Sequence, residues 1–187
     1  MSAVYRGLDT RLDRRVAIKI MDPAFADDRA FVQRFEREAR SAAKIHHPCV
    51  VAVHDQGVDA GADGDLVYLV MELVEGGTLR DLIDTHGRLS VPLACGVIEP
   101  VLSALAAAHA AGLVHRDVKP ENVLIGRPGV DPASAAGGTA GGGVANTVKV
   151  GDFGLVRAAA AAGVTSSSVI LGTVAYLPPE QVATGST

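Results

Sequence analysis

The chain has 187 residues, 48% of them hydrophobic and 20% charged, with 17 Lys and Arg against 21 Asp and Glu for a net charge of −4. That balance excludes a disordered acidic tail, and equally the basic footprint of a nucleic-acid-binding domain. Cys49 and Cys95 are too few for a disulfide framework and fit a reducing, cytoplasmic compartment. Aromatic residues are 4% and tryptophan is absent, so alanine, valine and leucine must build the core. No run is expected to reach the roughly 20 apolar residues of a membrane span, and no charged-then-apolar signal segment opens the chain. The length suits one domain.

Residues 16–20 (VAIKI) form an apolar run around one lysine and predict a largely buried strand. Residues 4–7 predict the strand before it, with a turn over 9–14. From 27 to 45 the period becomes helical, with Phe31, Phe35, Ala39, Ala42 and Ala43 on one face and Arg34, Glu36 and Arg37 elsewhere. Residues 50–53 and 66–72 predict two further strands, joined as a hairpin by the Gly/Asp-rich stretch 58–65. Gly76-Gly77 then breaks the chain. Thr78 predicts the cap of a short helix over 79–85 that stops near Gly87. Ser90 opens a longer helix to about Ala111, with Leu93, Val97, Val101 and Leu105 four apart on one stripe. Pro100 inside it predicts a bend, because it removes one backbone donor and crowds the preceding turn. Residues 127–146 are rich in Gly and Ala and too poor in large apolar groups to pack, which predicts a flexible surface insertion. Residues 148–150 read as a strand.

The chemistry-bearing residues fall into four groups in one order. The first is Lys19 in Val16-Ala17-Ile18-Lys19, and the second is Glu38 on the following helix. The third is His115-Arg116-Asp117-Val118-Lys119-Pro120-Glu121-Asn122. The last is Asp152-Phe153-Gly154, followed by Gly172-Thr173 and Pro178-Pro179-Glu180. Each alone is weak; Asp-x-Lys-Pro-x-Asn by itself also reads as a surface turn. Together and in this order, they make the sequence resemble the eukaryotic-type Ser/Thr protein kinases. The stretches HRDVKPENVLI, VKVGDFGLVRA and LGTVAYLPPEQ are similar to actinobacterial membrane-anchored members of that family. The resemblance covers nearly the whole chain apart from the insertion.

The resemblance implies an α+β, protein-kinase-like bilobal fold, incomplete here. Residues 1–74 would form a partial small lobe of strands plus one helix. Residues 75–187 would form a partial helical lobe with the catalytic loop, the insertion 127–146 and an activation segment over 152–180. The implied activity is transfer of the ATP γ-phosphoryl group to protein Ser or Thr hydroxyls, a reaction that runs on positioning and charge neutralisation. Lys19 would reach the α- and β-phosphates, with Glu38 as the partner that offsets the cost of a buried ammonium. Glu36 is the competing carboxylate, two positions off and so about 200° around the helix. Asp117 would be the catalytic base, accepting the substrate hydroxyl proton or orienting that hydroxyl, and Lys119 would steady the γ-phosphate. Asn122 and Asp152 would hold Mg²⁺, with Mn²⁺ as an alternative, through hard oxygen ligands. His115 and Phe153 are assigned to packing.

Adenine would meet the segment 68–74, with Met71 as gatekeeper, Glu72 and Val74 as backbone partners, and Val4, Ala17 and Leu124 as an apolar sandwich. Arg116 would bind a phosphate on the activation segment, where Thr165 and Ser167 are the autophosphorylation positions. Thr173 resembles the threonine that selects Ser/Thr acceptors. His46, His47, His54, His86 and His109 show no ligand spacing, and Cys49 and Cys95 read as small apolar residues.

The family's glycine-rich loop is expected before Val4, and its large C-terminal helices after Gln181 to Thr187. Against that pattern the chain is expected to lack roughly a third of a kinase domain. Glu180 is then expected to lack its arginine partner, and the isolated chain to be poorly stable. Two function classes follow: a Ser/Thr kinase catalytic fragment, which self-association would let autophosphorylate, or a weak or inactive ATP-binding remnant that regulates a full-length kinase. The kinase domain is expected in the cytoplasm, often anchored to the plasma membrane in full-length look-alikes. No membrane segment and no nucleic-acid partner are expected of this chain itself.

Overall fold

The computed structural model describes residues 2–23, 26, 28–61, 64–126, 148–153 and 176. Strands β1 (Ala3–Asp9) and β2 (Arg14–Ile20) pair antiparallel, β2 pairs with β4 (Gly64–Glu72), and β4 pairs with β3 (Val53–Gly61). The resulting four-stranded sheet has the order β1-β2-β4-β3. Helix α1 (Arg29–Ala42) lies between β2 and β3 in the chain. Its N-cap is Asp28, whose side chain accepts from the amides of Ala30 (2.8 Å) and Phe31 (3.1 Å), so the helix starts two residues later than the periodicity predicts. Phe31, Phe35 and Ala39 bury against Val67, Leu69 and Met21 of the sheet layer. Ala43, expected on that face, is exposed, because the helix ends at Ala42. Glu38 takes a buried place instead.

Two strand expectations change. The predicted strand over 50–53 starts only at Val53, because the backbone before it serves the second sheet. Val51 N donates to Val150 O (2.9 Å), and Val150 N donates to Cys49 O (2.8 Å). The hairpin turn is also tighter than predicted, since β3 and β4 stay paired out to Gly61↔Gly64. Gly and Asp therefore occupy strand positions there, without breaking the ladder.

The second sheet has the order β5-β6-β7, from β5 (Gly76–Thr78), β6 (Val123–Gly126) and β7 (Val148–Val150), all antiparallel. Helix α2 (Leu79–His86) opens with a reciprocal cap: Asp81 N donates to Thr78 Oγ1 (3.1 Å), and Thr78 N donates to Asp81 Oδ2 (2.7 Å). It ends on Gly87, whose φ of 67° is a left-handed conformation that glycine adopts without steric cost.

Helix α3 (Val91–Ala110) runs unbroken through Pro100, which is buried. Val97, Val101, Ala104 and Ala108 pack with Val123, Val148, Val150 and Phe153 in a second core. By length and composition α3 could cross a membrane, with a mean hydropathy of 1.8, contrary to the expectation that no run comes close. The cause is its alanine-rich make-up combined with an apolar outer face that includes Val91, Ile98 and Leu102. A third, smaller cluster of Ala17, Val51 and Met71, with Leu73, Val74 and Leu124 beside it, joins the two sheets.

Candidate active site

The site is built where β2, the loop over residues 113–119 and the end of β7 converge. Lys19 lies opposite Val4 on β1 and Leu69 on β4, and Ala17 lies opposite Met71. Because strand side chains alternate, Val4, Ala17, Lys19, Leu69 and Met71 share one face of the sheet. Lys19 is buried, and its Nζ lies 2.7 Å from Asp152 Oδ2. The carboxylate paired with Lys19 is thus Asp152, where the sequence led us to expect Glu38; Glu38 is itself buried, on α1. The physical reason is that Asp152, two residues after β7, turns at φ 60° and brings its carboxylate to the lysine.

Asp117 is 7% exposed, and its two oxygens have different surroundings. Oδ2 takes an ion pair from Lys119 Nζ (2.7 Å) and a hydrogen bond from Asn122 Nδ2 (3.0 Å). Oδ1 is buried with no hydrogen-bond partner among the described residues. Asn122 Nδ2 also donates to the Asp117 carbonyl (2.7 Å), which commits the amide nitrogen and leaves the amide oxygen as the atom for a cation. A 3₁₀ turn over Pro120–Asn122 makes this return possible, since it closes with Asn122 N donating to Lys119 O at 3.0 Å.

His115 ties the loop to β7. Its Nδ1 accepts from Asp117 N (3.2 Å), which leaves Nε2 protonated to donate to Gly151 O (2.9 Å). Burial holds the His115 imidazole below its ordinary pKa of 6.5, outweighing the bond to Gly151 and the nearby Asp117 and Asp152 carboxylates, which favour the charged form. Its ring lies 4.5 Å from that of Phe153, tilted by 53°. The packing role assigned from sequence is there, but sequence reasoning missed the two hydrogen bonds. Arg116, between His115 and Asp117, has a φ of 67°, a strained conformation for a non-glycine residue.

The apolar residues expected around adenine are brought together in part. Ala17, Met71, Val74 and Leu124 belong to the cluster between the sheets, whereas Val4 is 61% exposed on β1. Glu72 closes β4, and its Oε1 pairs with Lys149 Nζ at 2.8 Å. Sequence reasoning missed this pair too; a lysine between two valines in a short apolar strand was the signal that could have found it. Thr165, Ser167, Thr173 and Glu180 lie outside the described residues.

The donor set at Asp152 and Asn122 is one carboxylate and one amide oxygen, hard ligands that suit Mg²⁺ held jointly with substrate phosphates. No group of three or more His, Cys, Asp or Glu side chains able to hold a metal occurs among the described residues.

Comparison with known proteins bears on the family and the fold. Serine/threonine-protein kinase PknL of Mycobacterium tuberculosis is 52% identical over 185 residues, which is 99% of this chain and 41% of that protein. PknA of the same species is 42% identical over 182 residues, 97% of this chain and 38% of the relative. The chain thus spans about two fifths of the length of these curated relatives. Among solved structures, the Mycobacterium tuberculosis PknI kinase domain superposes with a TM-score of 0.63 at 29% identity, covering 83% of this chain and 55% of that one. Rad53 1-466 in complex with AMP-PNP superposes at 0.61 with 28% identity, covering 82% of this chain and 35% of that one. The protein kinase domain family matches from residue 1 to residue 187, and this chain belongs to it.

Proposed function

We propose that this chain carries the machinery for moving the γ-phosphoryl group of ATP to Ser or Thr hydroxyls of proteins. The observation that carries the reading is the asymmetry of Asp117. One oxygen is held by Lys119 and Asn122, while the other is buried, with no partner among the described residues. A buried acceptor in that state is costly unless something donates to it, and a substrate hydroxyl is a donor of the right kind. Asp117 would orient that hydroxyl and take its proton as the new O–P bond forms and the bond from the γ-phosphorus to the β–γ bridging oxygen breaks, with ADP leaving. Lys119, 2.7 Å from the same carboxylate, would offset charge on the γ-phosphoryl oxygens.

Lys19 is the cation for the α- and β-phosphates, held at the site by its buried strand and by Asp152. Glu38, buried on the helix behind it, is proposed as the carboxylate Lys19 meets when phosphate draws it off Asp152. Asp152 and Asn122 would hold Mg²⁺, or Mn²⁺ in its place. When bound, the metal neutralises charge on the β- and γ-oxygens and fixes the triphosphate for in-line transfer. Met71, Glu72, Val74, Ala17, Leu124 and Val4 would seat adenine. That the similar Rad53 structure holds AMP-PNP supports a nucleotide at this cleft.

The division into lobes at 74/75, phosphate binding by Arg116, modification of Thr165 and Ser167, acceptor selection by Thr173, self-association and a cytoplasmic location belong to the same proposal. The alternative of a regulatory ATP-binding remnant has no observation of its own in its favour. The test is incubation of the full chain with γ-labelled ATP, Mg²⁺ and matched peptides bearing Ser, Thr or Tyr. Label on Ser and Thr peptides alone is the expected result. Nucleotide binding with no label on any peptide would favour the remnant.

A further inference from the structure

Lys149 is a buried ammonium in a strand whose other residues, Val148 and Val150, are also buried. Taking such a charge out of water is expensive, and a well-packed apolar residue would fill the position at lower cost. Its Nζ instead reaches Glu72 Oε1 at 2.8 Å, at the end of β4 in the other sheet. The second carboxylate oxygen, Glu72 Oε2, accepts from Ala52 N (3.2 Å), and Glu72 N donates to Ala52 O (2.8 Å). Glu72 is thus held at both its backbone and its side chain. On the other side, Gly151, two residues after Lys149, donates its amide to Asn122 O (2.9 Å), and Asp152 follows directly.

We propose that the Lys149–Glu72 ion pair sets the distance between the adenine-side segment 71–74 and the phosphate-side pair Asp152 and Asn122, which makes Lys149 a positioning residue for Mg·ATP. The inference rests on the phosphoryl-transfer reading for its ligand, and on geometry alone for the tie. Adenosine engages one end of the cleft only, whereas Mg·ATP must fit both ends at once. Loss of the tie therefore penalises the triphosphate selectively, since small misplacements of reacting groups cost large factors.

The test uses the full chain and its Lys149→Met and Lys149→Arg variants, with dissociation constants for adenosine and for Mg·ATP measured by calorimetry. Lys149→Met is expected to weaken Mg·ATP by about 10-fold and adenosine by no more than about 2-fold. Lys149→Arg, which keeps the charge, is expected to retain most of the Mg·ATP affinity. Equal weakening of both ligands would mark general structural damage and overturn the proposal, as would no change in either. If the unaltered chain binds neither ligand, the phosphoryl-transfer reading fails on its own account, and amide hydrogen exchange decides the tie. Faster exchange in Lys149→Met at the Glu72 and Gly151 amides together supports it; unchanged exchange at either one overturns it.

Discussion

Lys19 on β2 and Asp152 after β7 meet at 2.7 Å, so a residue of the first sheet is bonded to the segment that follows the last strand of the second. The pair joins residues 133 positions apart in the sequence. Under the proposed reaction Lys19 stabilises charge on the triphosphate, as preorganised donors do. Lys19→Met is expected to lower phosphoryl transfer by about 100-fold or more. Steady-state assays at saturating Mg·ATP read this directly, and a variant within a few-fold of the parent would contradict the role.

Asp117→Asn keeps the size of the side chain but removes the proton acceptor at the buried Oδ1. General-base assistance contributes about 10²–10⁴-fold, so turnover should fall in that range while Mg·ATP affinity changes little. Comparing kcat with an independently measured nucleotide Kd separates the two quantities.

His115 predicts how stability depends on pH. Its imidazole is neutral in the fold because burial holds its pKa below 6.5, while in the unfolded chain it takes up a proton near that value. Between the two pKa values the unfolded state binds more protons, so stability is held above pH 6.5 and is lost as pH falls below it. Thermal unfolding at pH 7.5, 6.5 and 5.5 should show a falling midpoint, and His115→Gln should flatten part of that slope. A midpoint rising on acidification would contradict the account.

Gly76 illustrates a backbone requirement on the second sheet. A Cβ there would land on the carbonyl oxygen of Ile125, the residue before Gly126, its partner across the β5–β6 pairing. Gly76→Ala should therefore destabilise the chain by about 1–3 kcal/mol through overpacking. Urea titration measures it, and an unchanged midpoint would show that the strands can part without cost.

Much of this was legible in the sequence because motifs and periodicity report local chemistry. The VAIKI run, the Phe31/Phe35 face of α1 and the Thr78 cap each depend on near neighbours, and each forms. What escaped depends on distant partners. Residues 50–53 read as a strand, yet their backbone bonds go largely to Val150 and Glu72, a choice no local pattern contains. That Lys19 meets Asp152 in this structure is hidden for the same reason, since Glu38 and Asp152 are both candidate counter-charges until the turn at Asp152 is known. The Gly/Asp stretch at the β3–β4 hairpin looked like a turn because its composition favours turns; pairing across the ladder overrode that preference. The apolar length of α3 is hard to see in the sequence because alanine hydropathy accumulates without any single conspicuous run.

The central claim is that these residues transfer a γ-phosphoryl group through Asp117. The most direct measurement compares the full chain with its Asp117→Asn variant, each given γ-labelled ATP, Mg²⁺ and a Ser/Thr acceptor peptide, after both are shown to bind nucleotide. The account predicts label on the peptide with the parent chain and a loss of at least about 100-fold with the variant. Equal labelling by both, or none by a parent chain that binds Mg·ATP, would contradict it.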